Sequence, residues 1–413
     1  MADGANFADR ERSLRLLPDQ GVPLRVAGLF AGIGGIELGM HDAGHRTVLL
    51  CEAMSEAQAV LRARFPGVDL VGDVNELQPE QLHGCDVITA GFPCQDLSQA
   101  GRTEGIRGKK SGLIQRVFAL QEALEEPPKW LVLENVSFML HLDRGEGMRY
   151  LVRSLRRMGY RWAYRIVDTR AFGLPQRRRR VILVASKYNH LDPREVLFAD
   201  DADPRPEDDF RKRACGFYWT EGRRGLGWAV DAIPTLKGGS TIGIPSPPAI
   251  WLRGREDEIV TPSITDTERL QGFEAGWTEP AAALGTRLSK NARWKLVGNA
   301  VSVPVARWLG KRLARPGEYD EEMTGEQLRG QHKWPTAAWG DGSDTYAVDV
   351  SSWPVREPYR HLLSFLGSEL VPLSARATAG FYERASNGNL NFGKIPGFLP
   401  AVERHRDRML AQR

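Results

Sequence analysis

Apolar runs and amphipathic stretches alternate along the first half of the chain. Leu24 to Phe30 is an apolar run ending in the glycine-rich turn 31–35, and a helix carrying Ile36, Leu38 and Met40 follows. Thr47 to Cys51 reads as a second strand, followed by a helix over 54–64, and Asp86 to Ala90 reads as a third. A helix over 112–125 leads to Trp130-Leu131-Val132-Leu133, whose unbroken apolar character is that of a strand buried on both faces. A helix near 145–158 precedes a strand from Arg161 to Asp168, and a further strand is entered through Arg177-Arg178-Arg179-Arg180. Such regular alternation predicts an α/β fold with a mostly parallel sheet. Open sheets of that kind place their chemistry in the loops at the carboxyl ends of the strands.

The rhythm breaks at residue 188. Residues 188–257 hold an acidic tract (Asp200, Asp201, Asp203, then Glu207-Asp208-Asp209), basic spots at 211–213 and 223–224, and the turn-rich stretch Pro234 to Ser240. They form a small separate region, with 1–187 before it as the main body and 258–315 as a return to that body. Residues 316–413 are a C-terminal extension. Its opening, Gly317 to Glu322, is polar enough for a linker, but Trp334, Trp339 and Trp353 are too many large aromatics for a solvated tail. Tyr359, Leu362, Leu363, Leu366 and Leu370 fall at helical spacing, and Ser374 suits the cap of a helix leading to Phe381-Tyr382. The extension is expected to be folded and docked on the body.

Bulk properties narrow the class only a little. A chain of 413 residues with 42% hydrophobic and 26% charged residues has the make-up of an ordinary soluble protein of two or three domains. The net charge of +4 excludes an overwhelming basic field, so any phosphate-binding surface is a local patch. Cys51, Cys85, Cys94 and Cys215 show neither paired nor metal-ligand spacing. With no secretory leader and no long apolar run, the expectation is a reducing cytoplasm, no membrane and no metal.

Candidate chemistry gathers at strand ends. Cys94 lies in GFPCQDLSQAG, residues 91–101, directly after the apolar run 86–90. A lone cysteine is more often structural, but a thiolate in such a loop is a nucleophile. The glycine turn 31–35 opens a helix, the geometry that offers backbone amides to a ligand, although nicotinamide and flavin enzymes use a related turn. Glu52 stands about twenty residues further on, at a strand's end, where an acid accepts ribose hydroxyls or caps the next helix. Asp73 taken alone is a turn residue. Glu134 ends a buried strand, a setting that often raises a carboxyl pKa. In a strand Arg178 and Arg180 would share one face.

GFPCQDLSQAG resembles the signature loop of the DNA (cytosine-5)-methyltransferases. Further blocks of that family follow in order: FAGIGG at 30–35, Glu134-Asn135-Val136, Gln176 to Arg180, Arg269-Leu270-Gln271-Gly272-Phe273, and Val297 to Pro304. The resemblance covers roughly residues 24–313. It implies a Rossmann-like S-adenosylmethionine-dependent catalytic domain over 1–187 and 258–315, a small target-recognition domain over 188–257, and the C-terminal extension. It implies that Cys94 attacks carbon 6 of a cytosine flipped out of duplex DNA, that Glu134 holds the ring nitrogen and amine, that Arg178 contacts the base carbonyl, and that Arg180 supports the loop. For the cofactor it implies Phe30, Gly32, Gly34, Gly35, Glu52, Asp73, Val74, Pro93, Asn299 and Val301. Gln95, Ser98, Thr235 and Leu236 would touch DNA. Many members carry Asp or Ser where this chain has Gly28.

The reading is thus a DNA cytosine-5 methyltransferase. It is expected to act as a monomer in a bacterial or phage-infected cytoplasm, with a cognate restriction enzyme as a further partner. An RNA cytosine-5 methyltransferase on the same fold is the nearest rival, and residues 188–257 favour duplex DNA over it. A non-catalytic DNA-binding relative is disfavoured by the presence of Cys94, Glu134 and Arg178, and for a nicotinamide oxidoreductase the glycine turn alone speaks. For the extension, a stabilising cap is preferred to an added DNA contact, because it lacks a concentrated basic run.

Overall fold

Short β-branched and aliphatic runs build the first strands, and the computed structural model pairs them as parallel neighbours. It describes residues 22–93, 112–238, 246–254, 258–284, 287–330, 333–367, 370–390, 392 and 395–412, with the backbone alone at 287–290. The chain divides into two units. The first comprises Met1–Asp168, Arg179–Pro204 and Val301–Val355; the second comprises Thr169–Arg178, Arg205–Ala300 and Arg356–Arg413.

In the first unit, β1 (Arg25–Leu29), β2 (Arg46–Cys51), β3 (Asp69–Val71), β4 (Val87–Ala90) and β5 (Trp130–Val136) run parallel in the order β3-β2-β1-β4-β5. All of β4 and the first six residues of β5 are buried, as expected of central strands covered on both faces. β8 (Arg179–Ser186) enters antiparallel between β5 and β6 (Arg161–Asp168). Beyond β6 the sheet continues through β15 (Ala337–Gly340), β16 (Thr345–Val348) and β14 (Thr324–Gln327), ten strands among the described residues. Helices Gly35–Asp42 and Val303–Ala314 pack together, and buried His45 joins them to β1. Its ring accepts from Leu24 N at 3.3 Å and bonds Gly310 O at 2.8 Å, while burial lowers its pKa and favours the neutral form these roles require.

Arg165, on β6, ties that strand to the segments around Leu197–Asp201 and Ser351. Its guanidinium is fully buried and bonds Ser351 O at 3.0 Å, Leu197 O at 2.9 Å and the Asp201 carboxylate. Desolvation brings its pKa down to about 10, and the adjacent Asp201 and Asp200 hold it charged.

The second unit is built on an antiparallel sheet. β9 (Ala214–Phe217), β10 (Trp228–Val230), β12 (Ala249–Leu252), β13 (Glu258–Thr261) and β17 (Val371–Pro372) lie in the order β10-β9-β12-β13-β17. β7 (Gln176–Arg177) and β11 (Ile233–Pro234) form a separate parallel pair. Helices Ala375–Ser386 and Phe398–Ala411 bring Phe381 and Phe398 onto Phe217, with ring centroids 5.1 and 4.9 Å away. Ser374 caps the first of these helices, its hydroxyl accepting from Ala377 N at 3.3 Å.

These boundaries differ from those read in the sequence, because strand pairing decides membership. β13 extends the second sheet, so residues 258–300 stay with the second unit and the chain re-enters the first only at Val301. The extension is divided as well, 316–355 joining the first unit and 356–413 the second. The expected leucine-faced helix is a single turn, Leu362–Phe365, since Leu366 already adopts an extended backbone and Gly367 follows it. Leu362 and Phe365 are buried, whereas Leu363 is exposed.

Candidate functional site

The loop after β1 is shaped by backbone that ordinary residues avoid. Phe30 has φ 56°, and the turn closes through Ala31 N on Cys51 O at 3.1 Å and Gly34 N on Ala31 O at 2.9 Å. Gly34 has φ 80° and would drive a Cβ into the Phe65 ring, so glycine is required twice over. Glu52, just past β2, ties this loop to the next one. Its carboxylate accepts from Gly32 N and from Met54 N, each at 2.8 Å. Met54 precedes the helix Ser55–Arg64, so Glu52 does serve that helix's start, and each of its oxygens retains a lone pair for a ligand hydroxyl. Asp73 Oδ1 accepts from the backbone and side-chain nitrogens of Asn75 at 2.9 Å, and neighbouring Val74 is buried. Phe30, Gly32, Gly34, Gly35, Glu52, Asp73, Val74, Pro93 and Val301 all belong to the first unit.

Glu37 lies beneath this loop and was missed in the sequence. The space left by the absent side chain of Gly28 is taken by the Glu37 carboxyl, against which a Cβ there would collide. Oε1 accepts from Thr89 Oγ1 at 3.3 Å, and Oε2 is buried with no hydrogen-bond partner among the described residues. Complete burial, with a smaller push from Glu52, raises its pKa from 4.5 to about 7. The signal was an acid on the buried helix after the glycine turn, paired with Gly28, whose missing side chain leaves room for it. Between pH 4.5 and 7 the unfolded chain has released this proton while the folded chain keeps it, so stability falls as pH rises through that window. Glu37→Gln should remove the fall. Urea unfolding at pH 5 and pH 8 should show the variant gaining on the wild type by on the order of 3 kcal/mol at the higher pH. An identical pH dependence in both proteins would mean that Glu37 ionises normally.

The segment before Cys94 is held by the end of β5. Asn135 Nδ2 donates to Phe92 O at 2.9 Å and Asn135 Oδ1 accepts from Val136 N at 2.9 Å, so this buried amide positions the chain entering Pro93. Glu134 is 8% exposed, and Arg180 Nε lies 3.1 Å from its Oε1. Gly91 passes close by, with a Cβ position 3.6 Å from Glu134 Oε2. Cys94, Gln95 and Ser98 lie outside the described residues. The other three cysteines make poor nucleophiles. All are buried, and burial pushes the thiols of Cys51, Cys85 and Cys215 up to about 12, 11 and 11.

The structure separates the two arginines that the sequence placed on one strand face. β7 ends at Arg177 and β8 begins at Arg179, leaving Arg178 in the break. Arg178 is 1% exposed, and its guanidinium bonds Leu236 O at 3.3 Å, Gly298 O at 3.2 Å and Ala300 O at 2.7 Å. It braces the second unit, whereas Arg180, in the first, meets Glu134. Thr235 donates through Oγ1 to Arg177 O at 2.9 Å, and Leu236 is core, its amide bonded to Gln176 Oε1 at 3.2 Å. Asn299, expected at the cofactor, is exposed in the second unit. Among the described residues there is no metal-ligand cluster of three or more His, Cys, Asp and Glu, and no helix is long and apolar enough to cross a membrane.

Comparison with known proteins agrees with this geometry. The family described as C-5 cytosine-specific DNA methylase matches residues 24–214. Type II methyltransferase M2.BsuMI of Bacillus subtilis is 47% identical over 395 residues, covering 94% of this chain and 99% of its own. Type II methyltransferase M.HaeII of Haemophilus aegyptius is 29% identical over 300 residues, covering 68% of this chain and 89% of its own. Among solved structures, the Dnmt2 methyltransferase of S. pombe shares the fold with a TM-score of 0.54 at 16% identity, over 70% of this chain and 98% of its own. The glycine turn with its acid at the end of β2, the carboxylate–arginine pair at the end of β5 and a relative matched along almost its whole length lead to one conclusion: the chain belongs to the C-5 cytosine-specific DNA methylases, enzymes that methylate cytosine at carbon 5 with S-adenosylmethionine as donor.

Proposed function

We propose that this enzyme methylates a cytosine flipped out of duplex DNA through a covalent adduct with Cys94. Carbon 5 of cytosine is a weak nucleophile. Attack of the Cys94 thiolate on carbon 6 makes an enamine-like adduct whose carbon 5 takes the methyl group; the carbon-5 proton then leaves and the thiolate is expelled. A stacked base is out of reach, so flipping costs a few kcal/mol that pocket contacts offset. The Glu134–Arg180 pair carries this reading, because it sets a carboxylate and a cation at the strand end beside the chain that leads to Cys94. Glu134 holds the ring nitrogen and exocyclic amine.

The role of carbonyl contact is assigned here to Arg180 instead of Arg178, whose guanidinium is engaged by three backbone carbonyls. The donor, when bound, supplies the electrophilic methyl. Phe30, the glycine turn with Gly32 and Gly34, Glu52, Asp73 and Val74 hold and orient it, and Gly35, Pro93, Asn299 and Val301 keep their proposed places in its site. Gln95, Ser98 and the Thr235–Leu236 segment are proposed to meet DNA. A monomer working beside a cognate restriction enzyme, in a bacterial or phage-infected cytoplasm, completes the proposal; the Type II names of the relatives favour the restriction-enzyme setting. Incubation with labelled S-adenosylmethionine and duplex DNA, RNA or neither tests the substrate. Label in duplex DNA cytosine is expected, and label confined to RNA would overturn the reading.

A further inference from the structure

The hairpin joining β9 to β10, residues 218–227, carries Arg223 and Arg224 at its tip, between Gly222 and Gly225. Both arginines are exposed, and neither makes an ion pair among the described residues. Glu221, the acid beside them, is already engaged: it pairs with Lys237, and its Oε2 accepts from Gly227 N at 2.6 Å. The tip therefore carries two uncompensated positive charges.

A solvated pair of arginines would need no supporting structure, yet this tip is clamped. Gly222 N bonds Gly225 O at 3.0 Å, and Glu221 N bonds Tyr218 O at 3.1 Å. From the C-terminal segment, Arg384 donates Nη2 to Trp219 O at 2.7 Å and Nε to Glu221 O at 3.3 Å. Asn389 N donates to Arg223 O at 3.2 Å. Three successive odd-numbered carbonyls, at 219, 221 and 223, are thus held by residues 384–389, and a cleft of about 380 Å³ opens between the tip and Arg384. Fixing the backbone beforehand removes ordering entropy from a later binding step.

We propose that Arg223 and Arg224 form a DNA phosphate-binding site of the second unit, and that Arg384 and Asn389 make the C-terminal segment its positioning support. The inference rests on duplex DNA being the substrate. A guanidinium presents paired donors that match two phosphate oxygens, and duplex DNA offers a dense row of such groups. On this view the extension acts in DNA binding through backbone geometry, which explains why it lacks a basic run of its own.

The test uses the full chain and a fluorescent duplex that the wild type methylates. Arg223→Ala/Arg224→Ala should weaken binding roughly ten- to hundredfold and flatten the slope of log K against log salt by about 2, the share of two phosphate contacts. S-adenosylmethionine affinity should stay unchanged. Arg384→Ala should weaken binding in the wild-type background and have no further effect in the double variant, because a positioning residue has nothing left to position. An unchanged salt slope in the double variant would overturn the phosphate site. An Arg384 effect of equal size in both backgrounds would overturn the positioning role. A wild type that methylates only RNA would instead remove the DNA reading on which the proposal stands.

Discussion

Cys94→Ala is expected to reduce methyl transfer by about 10⁴-fold or more while S-adenosylmethionine binds as in the wild type. On the proposed mechanism the Cys94 thiolate provides the covalent step. Cys51, Cys85 and Cys215 are buried with raised thiol pKa values, so a second cysteine is not expected to rescue the variant. The cofactor contacts assigned to Glu52, Asp73 and the glycine turn do not involve position 94. A duplex with 5-fluorocytosine at the target separates loss of chemistry from loss of binding. The fluorine cannot leave as a proton does, so the wild type should be trapped as an adduct that survives denaturation, and the alanine variant should not. Methylation by the variant above a few per cent of wild-type rate would refute the covalent route.

Four of the five parallel strands of the first sheet were legible because their signals are local, whereas β3, three residues with no buried position, was not. The apolar runs of β1, β2, β4 and β5 are bounded by glycine turns and helices, and each strand was placed within a residue or two apart from the end of β5. Function was legible for a similar reason, since the family's blocks are contiguous and sit at strand ends. What stayed hidden depends on contacts far apart in sequence. β15 joins β6 across some 170 residues, as Tyr164 OH does in reaching Pro335 O. Nothing in Ala337–Gly340 names its partner. The leucine spacing after Tyr359 imitated a helix, but Leu362 N is tied to Asp231 Oδ1 at 3.0 Å and the turn ends at Leu366. Glu37 escaped because an acid at a helix start is ordinarily a dipole-compensating surface residue. Only the approach of Gly28 shows that this one is buried.

The two arginines of the strand entry give the second large expected effect, and they should fail in different ways. Arg180→Ala removes the cation paired with Glu134 at 3.1 Å and, on the assignment made here, the group that steadies the cytosine carbonyl oxygen. Loss of one such donor typically costs about 10²–10³-fold in turnover, so kcat of the folded protein should fall by that factor. Arg178→Ala instead strips a buried guanidinium from the carbonyls of Leu236, Gly298 and Ala300. Buried acceptors left without donors make this a stability lesion of roughly 2–5 kcal/mol, read in urea unfolding as a lower midpoint. Turnover by the fraction that remains folded should suffer much less than in Arg180→Ala. The two variants assayed side by side below the unfolding transition decide the assignment. A collapse of kcat in Arg178→Ala with intact stability, and a near-normal Arg180→Ala, would return the base contact to Arg178.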